Sequence, residues 1–171
     1  MKKGWDMGLD YKKTHRKLLK AYKEERSLKR KAYILVLLTQ LRNGSRISEA
    51  IEALKLMLET GKSEVYVKVR KHKKETLRLM VFPLKASPRG YKWALGYLQG
   101  DPEKVKLRII KFARRRFKIN THSLRYAWIT YNLLRGINPS LIAKITGHAK
   151  LDYILHYTQQ REAEKILKNM E

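Results

Sequence analysis

Apolar residues recur along this chain at two periods, and the changes of period mark its elements. Leu18, Leu19 and Tyr22 stand at helical spacing, so residues 11 to about 26 read as a helix with one thin apolar stripe. Tyr33, Val36, Leu37, Leu38 and Leu41 make a stronger helix that stops at Asn43-Gly44, a pair suited to a helix C-terminus. Ile47, Ala50, Ile51, Leu54 and Leu58 repeat at three and four and run to Gly61. The period then falls to two. Val65, Val67 and Val69 alternate with Tyr66, Lys68 and Arg70, and Leu77, Leu79 and Val81 alternate likewise. The polar residues 71–75 between these runs predict a hairpin, closed off by Pro83 and Pro88. After a short aromatic segment (Tyr91, Trp93, Tyr97), Asp101-Pro102 supplies a cap and a first-turn proline. The helix it opens holds Val105, Ile109, Ile110, Phe112, Ala113 and Phe117. Thr121 is placed to cap the next helix (Leu124, Ala127, Trp128, Tyr131, Leu134), which stops at Gly136, and Asn138-Pro139 opens a short one ending near Gly147. Two more short helices are predicted, through Tyr157 and over residues 161–170. The fold class is α+β, mainly α-helical, with one small antiparallel β-hairpin.

Composition bounds what such a chain can be. With 171 residues, 43% of them hydrophobic, it has apolar mass for one compact domain and too much for a disordered chain. No run of 18 apolar residues predicts a membrane span, and no apolar stretch follows the positive N-terminus as a secretory signal requires. The expectation is an intracellular, cytoplasmic protein that avoids membranes. The absence of cysteine excludes disulfides, thiolate zinc sites and cysteine nucleophiles.

Charge changes the picture further. Forty Lys+Arg against 15 Asp+Glu give a net charge of +25. The first 31 residues hold twelve Lys/Arg and four acids, and residues 104–118 hold eight basic residues and no acid. Such an excess repels itself in a compact state unless a polyanion relieves it, and nucleic acid does so with release of condensed counterions. A basic RNA-binding protein would satisfy charge alone. The five histidines lack the neighbouring carboxylates of a metal site, and His15, His72 and His156 take no role.

Three stretches carry candidate chemistry. Asn43-Gly44-Ser45-Arg46-Ile47-Ser48-Glu49 is a glycine turn followed by R-x-S-E at a helix start. His122-Ser123-Leu124-Arg125 is an H-x-x-R box, and Gly147-His148 is followed nine residues after the histidine by Tyr157-Thr158. Metal-free cleavage of a phosphodiester needs a nucleophile, neutralisation of transition-state charge and a proton for the leaving oxygen. An arginine fork binds non-bridging phosphate oxygens bidentately and stays charged. Arg46 at a helix start has backbone N–H groups beside it that also favour an anion. His122 and Arg125, three apart on a helix, project from one face. Tyr157 offers a phenol whose ordinary pKa of ~10 calls for nearby positive charge or a base.

In their order, and with a basic hairpin between the first two, these stretches resemble the signature boxes of the tyrosine recombinases, over residues 28–170. The resemblance implies their catalytic fold for residues 28–171, with residues 1–27 a basic helical segment packed on it and the usual N-terminal core-binding domain absent. The chain would then be either a fragment of a longer integrase or a minimal one. It further implies that Tyr157 attacks a DNA phosphate, that Arg46, Arg125 and His148 hold it, and that His122 assists proton transfer. A hairpin lysine would protonate the leaving oxygen. Lys73, five residues before Arg78, fits the family's K-x-x-x-x-R spacing, while Lys71 and Lys74 remain open. Neither metal nor ATP is implied as cofactor. The implied partners are double-stranded DNA and further copies of the chain, a tetramer on two duplexes and a monomer in isolation. The stripe Ala163, Ile166, Leu167 and Met170 would dock on a neighbouring copy or pack on its own domain. One departure is Thr146, where the family usually has an aliphatic residue, expected to be a mild change that affects packing. A non-catalytic DNA-binding module and a type IB topoisomerase-like enzyme stay as alternatives.

Overall fold

The computed structural model describes residues 7–69 and 75–148, with the isolated positions 152, 163, 164 and 167–170. The predicted hairpin tip and most of the two C-terminal helices, one through Tyr157 and one over residues 161–170, lie outside these described residues. Six α-helices, one 3-10 helix and a two-stranded antiparallel sheet are described: α1 (Tyr11–Glu24), α2 (Leu28–Asn43), α3 (Ile47–Thr60), β1 (Glu64–Lys68), β2 (Leu77–Val81), the 3-10 helix (Pro88–Tyr97), α4 (Pro102–Phe117), α5 (Thr121–Leu134) and α6 (Pro139–Thr146). The architecture is the mainly helical α+β one expected. No helix among the described residues is long and apolar enough to cross a membrane.

The core is built around α2. Every residue from position 32 to 41 is buried, so the predicted stripe is in fact a helix enclosed on all sides. It is covered by α1, α3, α5 and the 3-10 helix. Helix α1 packs on this body. Thr14, Leu18 and Ala21 of α1 are buried, and Tyr11 stacks on Tyr131 of α5 at 4.6 Å between ring centres. α1 ends at Glu24, short of residue 26, because Ser27 turns the chain and caps α2 by accepting from the Arg30 N–H. On α4, Val105, Ile109, Ala113 and Phe117 are buried at i, i+4 spacing, leaving its basic residues outside. The cap of α5 is Asn120 rather than Thr121. The Asn120 side chain accepts from the His122 N–H at 3.0 Å, and Thr121 is buried as the first helical residue. The aromatic segment is the 3-10 helix, started by Pro88 and packed through Tyr91 on Phe82.

The sheet departs from its apolar pattern in one respect. Val65 and Val67 of β1 face inward as their alternation implies. In β2, however, Leu77 and Leu79 are 61% and 40% exposed, while Arg78 is 3% exposed and Met80 fully buried. Strand period two was legible, but the inward face is the one carrying an arginine. Its register, Val67 opposite Arg78, aims that side chain at the end of α2.

Candidate active site

Four elements deliver three arginines and a histidine to one place. Arg46 is the N-cap of α3, immediately after the turn that ends α2. Arg78 comes from β2, Arg125 from the first turns of α5, and His148 from the residue after the Gly147 cap of α6. At their centre is Glu49, whose side chain is wholly buried. Its Oε2 lies 3.3 Å from Arg46 Nη1, and its Oε1 lies 3.7 Å from Arg78 Nη1 and 3.8 Å from Arg125 Nη1. Oε1 also accepts the Arg46 backbone N–H at 3.1 Å, closing the first turn of α3.

The terminal carbonyls of α2 hold two of the guanidiniums. Arg78 Nη2 donates to the Asn43 carbonyl, and Arg125 Nη1 donates to that of Gly44 at 3.1 Å. These carbonyls have no intrahelical partner and sit at the negative end of the helix dipole, so cations suit them. Gly44 is required there twice over. Its φ is +57°, and a Cβ would stand 2.5 Å from the Trp128 ring. Asn43 ties the same corner to the sheet, its side chain donating to the Val81 carbonyl and accepting the Val81 N–H, both at 2.8 Å.

Within this cluster three guanidiniums face one carboxylate, so positive charge is in excess. Arg125 Nε and Arg78 Nε and Nη1 are buried without a hydrogen-bond acceptor among the described residues. Burial pushes the Arg125 pKa down to about 9, with Arg46 adding to the push and Glu49 opposing it. Burial likewise lowers Arg78 to about 10, against the attraction of Glu49. Both remain charged at neutral pH, at a cost that an added anion would lower. The cleft of about 670 Å³ that Arg46 shares with Ser48, Lys55 and Lys106 is also lined by Glu52, Glu59 and Glu103. Its mixed charge suits a phosphate less than the arginine cluster does.

His148 joins that cluster from the far side. Arg125 Nη2 lies 3.1 Å from the imidazole and also donates to the Thr146 carbonyl at 3.2 Å. Burial, with Arg125, Arg46, His122 and Arg78 nearby, lowers the His148 pKa to about 3, so the ring is neutral. Thr146 is not a packing substitution. It is fully buried, and its hydroxyl lies 2.7 Å from His148 Nδ1. Gly147 makes this turn possible, with φ +72° and no room for a Cβ, which would meet Val69 at 2.5 Å. The base of the hairpin therefore abuts the His148 turn. His122 is half-buried on α5, its ring edge-on to Tyr126 at 5.0 Å.

The structure thus brings together Arg46, Arg125 and His148, with His122 close enough to influence His148. Tyr157, Lys71, Lys73 and Lys74 lie outside the described residues. The motifs contain Glu49, Arg78 and Asn43 but give them no part in the site, and the hydroxyl of Thr146 does more than packing. For Glu49 the signal was present, a carboxylate one helical turn after Arg46. For Arg78 it lay only in the K-x-x-x-x-R spacing, because an arginine between two leucines on a strand otherwise reads as the solvent side.

Known proteins align with nearly all of the chain. Putative integrase ORF241 of Acidianus two-tailed virus is 40% identical over 169 residues, covering 97% of this chain and 68% of that protein. Uncharacterized protein MJ0770 of Methanocaldococcus jannaschii is 34% identical, with 97% of this chain and 88% of that protein covered. Putative integrase V10 of Sputnik virophage is 31% identical over 96% of this chain and 89% of its own length. No family model matches the chain, and no solved structure matches it significantly.

Proposed function

The chain belongs to the same protein family as putative integrase ORF241 and putative integrase V10, and from that premise we propose that it is a tyrosine recombinase acting on double-stranded DNA. The observation that carries this reading is the convergence of Arg46, Arg125 and His148 in an arginine cluster with excess positive charge. Such a site favours an anion whose charge grows in the transition state, as that of a phosphodiester under attack does.

In this reading the Tyr157 phenol oxygen attacks the scissile phosphorus and its proton passes to His122. The P–O5′ bond breaks, the 5′ oxygen takes a proton from a hairpin lysine (Lys73, with Lys71 and Lys74 as alternatives), and a 3′-phosphotyrosine remains. The covalent link conserves the phosphodiester, so religation to a second 5′-hydroxyl needs neither ATP nor a metal. Glu49 fixes the arginines relative to one another. Strand exchange would take place in a tetramer on two duplexes. The test is a nicked suicide duplex whose short 5′-hydroxyl fragment diffuses away after cleavage. Wild-type protein should accumulate a covalent adduct, and Tyr157→Phe should bind the duplex but form none. Undiminished adduct in the variant refutes the role of Tyr157, and a wild type that binds without forming any adduct favours a non-catalytic DNA-binding module. Relaxation of supercoiled DNA without two-site exchange would mark a topoisomerase-like enzyme.

A further inference from the structure

We propose that Thr146 is a positioning residue that fixes the tautomer of His148 and so decides which edge of the imidazole meets the anion. The inference rests on the preceding reading of the arginine cluster as a phosphate site. The Thr146 hydroxyl lies 2.9 Å from the Ile142 carbonyl one helical turn back and 2.7 Å from His148 Nδ1. The hydroxyl has one proton, and a carbonyl can only accept. Given to Ile142, that proton leaves the threonine oxygen as acceptor, so Nδ1 must carry its own hydrogen and donate.

Arg125 Nη2 lies 3.1 Å from both ring nitrogens, which places it over the ring rather than in line with either lone pair. That position favours neither tautomer, so the choice falls to Thr146. The donors run from Nδ1 through the Thr146 hydroxyl to the Ile142 carbonyl. A phosphate entering the cluster draws off the Arg125 N–H and favours protonation of the ring. Nε2 then gains a hydrogen and donates to the phosphate while Nδ1–H stays on Thr146. An aliphatic residue at this position leaves Nδ1 without an acceptor from position 146. Thr146 is thus to His148 what an orienting acceptor is to a metal-bound histidine.

The test reads the tautomer directly. Nitrogen-15 shifts of the ring, measured on the full chain without DNA at neutral pH and assigned with His148→Gln, should show Nδ1 protonated and Nε2 bare. Thr146→Ser, which keeps the hydroxyl, should preserve that pattern, whereas the isosteric Thr146→Val should shift the ring toward the Nε2–H form. Adduct formation should fall on the order of tenfold in Thr146→Val and stay within about twofold of wild type in Thr146→Ser. A wild-type ring protonated at Nε2, or a valine variant that folds with the wild-type tautomer, overturns the inference. Should the valine variant not fold, the wild-type tautomer alone decides. Because the shifts need no cleavage, their failure is distinct from that of the proposed chemistry, which the Tyr157 adduct reports.

Discussion

Glu49→Gln isolates the charge at the centre of the arginine cluster, because the amide keeps the shape of the side chain and can still accept the Arg46 N–H. What it removes is a buried carboxylate within 3.3–3.8 Å of three guanidinium nitrogens. Arg78 and Arg125 are 1% and 0% exposed at their side chains, so water cannot take over the lost charge. Arg46 is 19% exposed and partly screened. Stripping one partner from a buried ion pair costs about 3–5 kcal/mol, mostly the penalty of the cations left behind. With a urea dependence of about 2 kcal/mol per molar, the unfolding midpoint should fall by roughly 1.5–2.5 M. Two further results follow from the same cause. Inorganic phosphate should raise the midpoint of the variant more than that of the wild type, since it supplies the missing negative charge. Adding Arg78→Met to Glu49→Gln should cost about 0.5–3 kcal/mol less than the sum of the single changes, because one stranded cation is gone. A Glu49→Gln midpoint within about 0.5 M of wild type, with no response to phosphate, would refute the reading of Glu49 as the organiser of the cluster.

Three other outcomes are expected. DNA affinity should fall with salt by a slope of about −0.9 per phosphate neutralised, and a flat dependence would detach the net charge from a duplex partner. His148 is neutral when folded, its pKa lowered to about 3 mainly by burial, against ~6.5 in the unfolded chain. The unfolded state therefore binds the extra proton between these values, so stability is lost as pH falls below about 6.5, and His148→Gln should flatten that slope. If Lys73 protonates the leaving oxygen, Lys73→Ala should cripple cleavage of normal DNA and recover on a duplex with sulfur at the 5′-bridging position, since a thiol of pKa ~8.5 leaves without help. Lys71→Ala and Lys74→Ala run in parallel decide among the three, and rescue of none refutes a hairpin acid.

The sequence carried the helices better than the site they build. Asp101-Pro102, Asn138-Pro139 and Asn43-Gly44 act over one or two turns, so they mark helix ends without reference to the rest of the chain. Arg46, Arg125 and His148 were legible as members of spaced boxes, and they do converge. Arg78 was legible only as the end of the K-x-x-x-x-R spacing, because its inward orientation depends on Glu49 and the Asn43 carbonyl, 29 and 35 positions away. The enclosure of α2 was equally hidden. Neighbours on every side bury Ile34 and Leu35 along with the predicted stripe. Thr146 looked like a packing change because its partner reaches it only when Gly147 reverses the chain.

The central claim is a covalent 3′-phosphotyrosine formed at a site built around Arg46, Arg125 and His148. Its most direct measurement is mass spectrometry of the protease-digested protein–DNA adduct, combined with end analysis of the released fragment. The account predicts a single modified peptide, with the nucleotide joined through its 3′ phosphate to Tyr157 and the released fragment ending in a 5′-hydroxyl. Linkage to another residue such as Tyr153, a 5′-phosphate linkage, or cleaved DNA with no protein attached would contradict it.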